Sequence, residues 1–354
     1  MEKVKKRYVG LDLLRVASAL VICAFHTIIH LECRYGILNI VLRQGSIFMI
    51  AFFMLSGFTL FITYKHKNLW EIKEIKTFFK KRAISILPMY YVSAIIFILL
   101  ERQESIRDTI LLAPIETLGL QSTYYSLDTI THNHGTWFIS CILICYIFYP
   151  FFQEVVKQLA LKEKIFILVI CLSILIYNPI IIHVFKVATV YRNPFYRGME
   201  FFVGVLLASI KLELNKDNSF SKTMCSWWTI GIISLFYAIA VTLIIKLKIS
   251  FGGFVLLNFV ATISFAALLF SLSGVNSEIL SKSKLLKYFC SISYVFFLSQ
   301  LYSNWLCKKI ISRYGIDSNI IRIILGWGVC IVIAIMLHEI FEKPITKYLR
   351  KKLS

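Results

Sequence analysis

Charge is scarce in this chain, and negative charge is scarcest: Asp, Glu, Lys and Arg make up 16% of its 354 residues, with 19 acidic side chains against 39 Lys and Arg. A soluble domain must clothe its core in polar surface. With 58% hydrophobic residues and a mean hydropathy of +0.75, this chain has too little polar material to do so. A bilayer removes the difficulty, because there the outside of the protein is apolar too and helices satisfy their backbone groups internally. Metal-binding patterns are also missing. The nine cysteines form no CxxC pair and no Cys/His cluster with zinc spacing, and Cys141, Cys145, Cys171 and Cys330 lie inside apolar runs as small core residues do. Cys33 and Cys307 fall in segments expected on the outer side, where a disulfide is chemically open. The net charge of +20 does not gather on a soluble face with stacking aromatics, as nucleic-acid binding requires. It lies in short runs between apolar stretches, the pattern of loops facing anionic lipid.

Apolar stretches long enough to cross hydrocarbon fall near 10–31, 45–64, 84–100, 136–153, 164–183, 196–211, 226–246, 252–273, 288–306 and 319–341. The segment 109–120 is too short, and too broken by Pro114 and Glu116, to join them. The expectation is an all-α integral membrane bundle of about ten transmembrane helices, one domain over residues 1–354, with no internal repeat and no soluble extracytoplasmic domain. The first stretch mimics a secretory signal. Asp12 and Arg15 interrupt it and no small-x-small cleavage site follows, so it reads as an uncleaved span. The densest basic segments, residues 64–83 and the tail from Lys343, fall on one side of a ten-span topology, which places both termini in the cytoplasm. The longest outer loop, about 101–135, carries acidic and His residues with little net positive charge.

The first span carries the most informative pattern. An ionisable side chain inside a membrane is costly and marks a functional site by default. Arg15 and His26 are eleven residues apart, three helical turns with about 20° left over, so they share one helix face roughly 16 Å apart along the axis. Asp12 lies three residues before Arg15, on the same side, where it can pair with and orient it. A guanidinium near the cytoplasmic boundary suits phosphate groups, and an imidazole deeper in suits general-base work near neutral pH. Coenzyme A has the matching form, phosphates at one end and a thioester at the other, joined by a pantetheine arm of comparable length. The blander reading is that Arg15 snorkels to headgroups and His26 bonds a neighbouring helix. His30, four residues after His26, has ligand spacing but no accompanying carboxylate or His at a recognisable distance, so no metal is expected.

These residues resemble the membrane acyltransferase-3 family, whose members acylate bacterial surface glycans and some other acceptors. LDLLRVASALVICAFH resembles the family's opening signature of an Arg and a His with ten residues between them. AFFMLSGFTL, with Phe52, Phe53, Ser56 and Gly57, resembles its second-span motif. KKRAISILPMYY, with Lys81, Arg82 and Pro88, resembles the basic turn entering the third span. TWFISCILICYIFYP, with Trp137, Tyr146 and Pro150, YRGMEFFVGVLLA, with Arg197 and Gly204, SISYVFFLSQ, with Tyr294, and the closing Glu342 and Pro344 follow in the family's order. Two positions depart from the pattern: Ser85 stands where another Arg often follows the basic pair, and Gln300 stands where a His often ends the ninth-span motif. Gln300 cannot take a proton at neutral pH, so no second-histidine role carries over.

The resemblance implies acyl transfer, with acetyl-CoA as donor, to a hydroxyl of a surface or lipid-linked polysaccharide in a bacterial cell membrane. Arg15, Lys81 and Arg82 would hold the donor, His26 would act as base and Asp12 would orient Arg15. Each motif also has a structural reading. Gly57 with Ser56 suits close helix packing, Lys81 and Arg82 suit a membrane anchor, Trp137, Tyr146 and Tyr294 suit interface or core, and Pro88 and Pro150 suit helix boundaries. Arg197 suits snorkelling at an outer boundary, and Glu342 a pairing with a nearby basic side chain. A polytopic transporter or flippase for a glycan or lipid is the alternative from another class; the lack of an internal repeat counts against it.

Overall fold

The computed structural model of the chain describes residues 7–101, 106–123, 134–185, 191–214, 219–248 and 253–352. Residues 102–105 and 124–133 of the expected outer loop lie outside the described residues. Among the described residues every regular element is helical. The principal helices are α1 (Val9–Leu31), α2 (Met49–Tyr64), α3 (Ile72–Glu101), α4 (Ile106–Leu118), α5 (Trp137–Gln158) and α6 (Leu161–Phe185). They continue with α7 (Pro194–Glu213), α8 (Trp227–Lys246), α9 (Gly253–Gly274), α10 (Lys284–Tyr314), α11 (Asn319–Leu337) and α12 (Lys343–Lys351). Each of the ten apolar stretches falls on one of them, with α4 and α12 left over.

Among the described residues, seven segments are long and apolar enough to cross a membrane: α1, Gly45–Tyr64, Ile72–Leu100, α5, α8, Leu256–Gly274 and the continuous run Asn319–Lys351. Helices α6, α7 and α10 are outside that set. For α7 and α10 the reason is visible in their side chains. Arg197 and Glu200 are buried in α7, and Ser293, Ser299, Gln300, Ser303 and Asn304 are buried in α10. Their polar groups face protein, as polar groups at membrane depth must.

Local chemistry sets the helix ends. The Asn193 side chain accepts hydrogen bonds from the N–H groups of Phe195 and Tyr196, with Pro194 opening α7. Ser226 and Ser283 cap α8 and α10 by accepting from the N–H groups of Thr229 and Leu286. Helix α10 ends at Gly315, whose φ of 60° belongs to the left-handed region glycine enters without strain. Pro88 and Pro150 do not mark boundaries: they lie inside α3 and α5. A membrane helix tolerates this because neighbouring helices re-satisfy the freed backbone groups.

Close packing follows the small residues. A Cβ added to Gly57 of α2 would stand 1.9 Å from the Phe201 carbonyl oxygen of α7, and one added to Gly204 of α7 would stand 1.9 Å from the Met54 carbonyl oxygen of α2. The two backbones therefore meet at a reciprocal pair of glycines, the packing device expected of Gly57. Helix α7 is the centre of the body, with Phe201, Val203, Val205, Leu206 and Ala208 fully buried. Helix α8 lies at the edge against α9 and leaves Trp228, Ile232, Leu235 and Phe236 exposed, an apolar face suited to lipid. The first helix is built into the body through α10, α9 and α11. Cys33 and Cys307 carry free thiols and share one small apolar cluster with Leu31.

Candidate active site

Two cavities lie end to end along α1. The first, about 590 Å³, is lined by His26 and His30 of α1 together with Trp137, Tyr191, Arg192, Asn304, Trp305 and Lys308. The second, about 410 Å³, is lined by Arg15 of α1 with Ser56, Arg82, Ser85, Tyr146, Cys290, Tyr294 and Arg350. Met49 and Phe297 belong to the walls of both. Phe297 meets the Phe138 ring edge-on at 5.2 Å and the Phe52 ring at a tilt at 6.1 Å, so aromatic rings back the partition. The shared face expected of Arg15 and His26 is therefore present, but it opens into two neighbouring chambers rather than one.

The lining order gives the helix directions. Helix α3 runs from Arg82, Ser85 and Ile86 at the Arg15 cavity to Phe97 at the His26 cavity, and α10 runs from Cys290 to Lys308 in the same sense as α1. Helices α2 and α5 run the other way: Phe52, Ser56 and Thr59 of α2, and Ile142 and Tyr146 of α5, follow residues that line the His26 end.

The Arg15 cavity is a cluster of guanidinium groups with aromatic supports. The Arg82 guanidinium lies 5.8 Å from the Tyr64 ring centroid and 5.9 Å from that of Tyr146. Its Nε is buried without a hydrogen-bond partner. A buried unpaired donor on a cation is costly unless something accepts from it, so this guanidinium is open to an acceptor in the cavity. Arg15 donates from Nη1 to the Cys290 Sγ at 3.5 Å. Asp12 does not pair with Arg15 directly. Its carboxylate takes the Arg7 guanidinium at 2.5 Å and accepts from the Cys290 thiol at 3.2 Å. Arg7 reaches it from just before the helix, and Cys290 stands between Asp12 and Arg15. Lys81 is exposed and lies off the cavity wall, on the face of α3 next to the one that carries Arg82. Of the expected donor-binding residues, the fold brings Arg15 and Arg82 together and leaves Lys81 out.

At the other end, His26 and His30 stack with ring centroids 5.5 Å apart and planes 11° from parallel. The His26 Nδ1 is buried and has no hydrogen-bond partner, so no carboxylate holds this imidazole in a fixed tautomer. Among the described residues no third side chain of ligand type joins the two histidines. Asn304 also lines this cavity, with its Nδ2 donating to the Gln300 carbonyl and its Oδ1 buried without a partner.

Arg197 is buried, not snorkelling. Its Nη1 donates to both carboxylate oxygens of Glu200 at 2.7 Å, and its Nε donates to the Tyr191 carbonyl at 2.8 Å. The rings of Tyr191 and Trp137 lie 4.8 Å and 5.6 Å from it, and both rings line the His26 cavity. Arg197 thus positions a wall of the site from behind. Gln300 is buried off both cavities, donating to the Ala19 carbonyl of α1 at 3.4 Å, so it joins α10 to α1 between Arg15 and His26. Glu342 has its expected partner in His338, 2.5 Å away.

Sequence reading missed Cys290, Asn304, Trp305, Lys308 and Arg350. A signal for the α10 set existed: positions 290, 294, 297, 301, 304, 305 and 308 follow helical spacing and form one stripe. Arg350 was hidden in a basic tail.

No curated protein and no solved structure matches this chain. A family model described as an acyltransferase domain matches residues 8–339, from the start of α1 into the turn after α11, and takes in the helices that bring Arg15, Arg82 and His26 to the two chambers. With guanidinium groups in one chamber, an imidazole in the next and a body of apolar helices around both, the chain belongs to the acyltransferase-3 family and is a multi-pass membrane acyltransferase.

Proposed function

We propose that the protein transfers an acetyl group from acetyl-CoA to a hydroxyl of a surface or lipid-linked polysaccharide, in the cell membrane of a bacterium. The observation that carries this reading is the placement of Arg15 and His26 on one face of α1, in adjoining cavities that share Met49 and Phe297. The donor's phosphates sit among the guanidinium groups of the Arg15 cavity, which faces the cytoplasm where CoA is found. Its pantetheine arm passes the Met49–Phe297 partition and delivers the thioester to His26, about 16 Å along the helix. The alternating helix directions support ten crossings with both termini in the cytoplasm.

In the His26 cavity, the acceptor hydroxyl gives its proton to the imidazole as its oxygen attacks the thioester carbonyl. The new C–O ester bond forms, the C–S bond breaks, and the proton passes from His26 to the leaving thiolate, releasing CoA. With Nδ1 buried, Nε2 is the ring nitrogen that meets the substrate. Trp137, Tyr191 and Trp305 offer aromatic faces for sugar rings. The test is to incubate membranes carrying the protein with labelled acetyl-CoA and the host's glycans, and to locate the label by mass spectrometry. His26→Ala should lower acetylation by about 10²- to 10⁴-fold, the range of general-base catalysis, with glycan export unchanged. Loss of export with acetylation intact would point to a transporter instead.

A further inference from the structure

The basic tail after α11 has an evident membrane role: Lys343, Lys347, Arg350, Lys351 and Lys352 would face anionic headgroups. One of them is placed differently. A π-helical turn at His338–Glu342 joins α11 to α12, Pro344 lies in the first turn of α12, and α12 packs against α3. Helix α3 is the element that carries Arg82 and Ser85 to the Arg15 cavity. As a result Arg350, alone among the tail's basic side chains, enters the lining of that cavity beside Arg15 and Arg82. Lys352 instead lies 4.8 Å over the Tyr348 ring, and Lys343 pairs with Glu339 at 2.8 Å.

Ser85 lines the same wall, and its hydroxyl turns back to the Lys81 carbonyl at 2.9 Å, so α3 supplies one guanidinium and no second cation. Among the described residues no acidic side chain lines this cavity. Three guanidinium side chains line it from α1, α3 and α12, with Asp12 behind Arg15 through Cys290 and the Glu342 carboxylate acting on Arg350 from the turn before α12, so the cavity wall itself presents cations to whatever enters. A polyanion with separated phosphates, a diphosphate and a ribose phosphate on one molecule, matches a three-cornered site better than a single headgroup does.

We infer that Arg350 is a donor-binding residue, a third guanidinium for the phosphates of CoA supplied by the C-terminal helix. It lies beyond residue 339, where the family match ends. The inference rests on the proposed use of the Arg15 cavity for an acyl-CoA. The test is calorimetric titration of the purified full-length protein in detergent with CoA and, separately, with pantetheine, which has no phosphate. Arg350→Gln should weaken CoA binding about tenfold, the loss of one charge-assisted contact, and leave pantetheine binding unchanged. Arg350→Lys should fall between, since it keeps the charge and loses the planar fork. Lys347→Gln, a tail cation off the cavity, should bind CoA as the wild type does. Equal CoA affinity in Arg350→Gln and wild type, or equal losses in Arg350→Gln and Lys347→Gln, would overturn the assignment while leaving the proposed reaction standing. A wild type that binds no CoA would overturn both.

Discussion

Glu200→Gln is the single substitution expected to harm this fold most through one side chain. Arg197 is 3% exposed and Glu200 1%, and each depends on the other for its charge. Removing one partner of a buried pair leaves an uncompensated charge, which typically costs about 3 to 5 kcal/mol. The loss should appear as a lowered melting temperature of the purified protein in detergent. Activity should fall with it, because Arg197 also holds the Tyr191 carbonyl and lies against the Trp137 ring on the wall of the His26 cavity. Arg197→Met with Glu200→Leu should recover much of the stability, since an apolar pair of similar volume removes both buried charges. It should recover less of the activity, for the hold on Tyr191 is gone. Recovery of both in full would show that the pair fixes the helix without shaping the site.

The reciprocal glycines of α2 and α7 make the next prediction. Gly57→Ala puts a methyl group within 1.9 Å of a backbone oxygen that cannot swing aside, and Gly204→Ala does the same in the opposite direction. Either change should cost about 1 to 3 kcal/mol by overpacking, and a melting shift in detergent would measure it. The double variant should cost less than the sum of the two, because the first forced separation of the helices makes room for the second. This contact was half legible in the sequence. Ser56-Gly57 announced small-residue packing, and α2 was a plain apolar run, but nothing in the residues named Gly204 as the partner. The same limit holds elsewhere. The ten apolar stretches could be placed from hydropathy, and the Arg15–His26 face from the pitch of a helix, because both depend on near neighbours in the chain. Pairings between distant segments were not legible. Arg7 stands five residues from Asp12 yet arrives from outside the helix, Cys290 comes from α10, and Arg350 comes from a tail whose charge already had a membrane explanation. Lys81 shows the converse: its charge and motif were visible, while the rotation of α3 that turns it away from the cavity was not.

On the proposed reading, the partition between the chambers separates the donor's phosphates from the reacting end. A transferase working across a bilayer must pass a thioester arm without opening a path for water and ions, and a plug of apolar side chains can do both if it is narrow and yields to the arm. Met49 and Phe297 occupy that position, with Phe52 and Phe138 packed on Phe297. Both border the two cavities, but Met49 is buried whereas Phe297 is only partly so, which leaves Phe297 the more room to move. Phe297→Trp enlarges the plug on the side that can accept bulk. If the phosphates are held in the Arg15 cavity, CoA affinity should stay within about twofold of wild type. Misplacing the thioester by even about 1 Å should meanwhile lower kcat on the order of 10²-fold. Phe297→Leu keeps an apolar plug of smaller size and should bind CoA and turn over near the wild-type rate. Titration with CoA and single-turnover acetylation by the same preparations separate the two effects. A joint loss of binding and turnover in Phe297→Trp would mean that the donor's anchoring extends through the partition. An unchanged turnover would mean that the arm reaches His26 by another route, and the two chambers would then have to be read as separate sites.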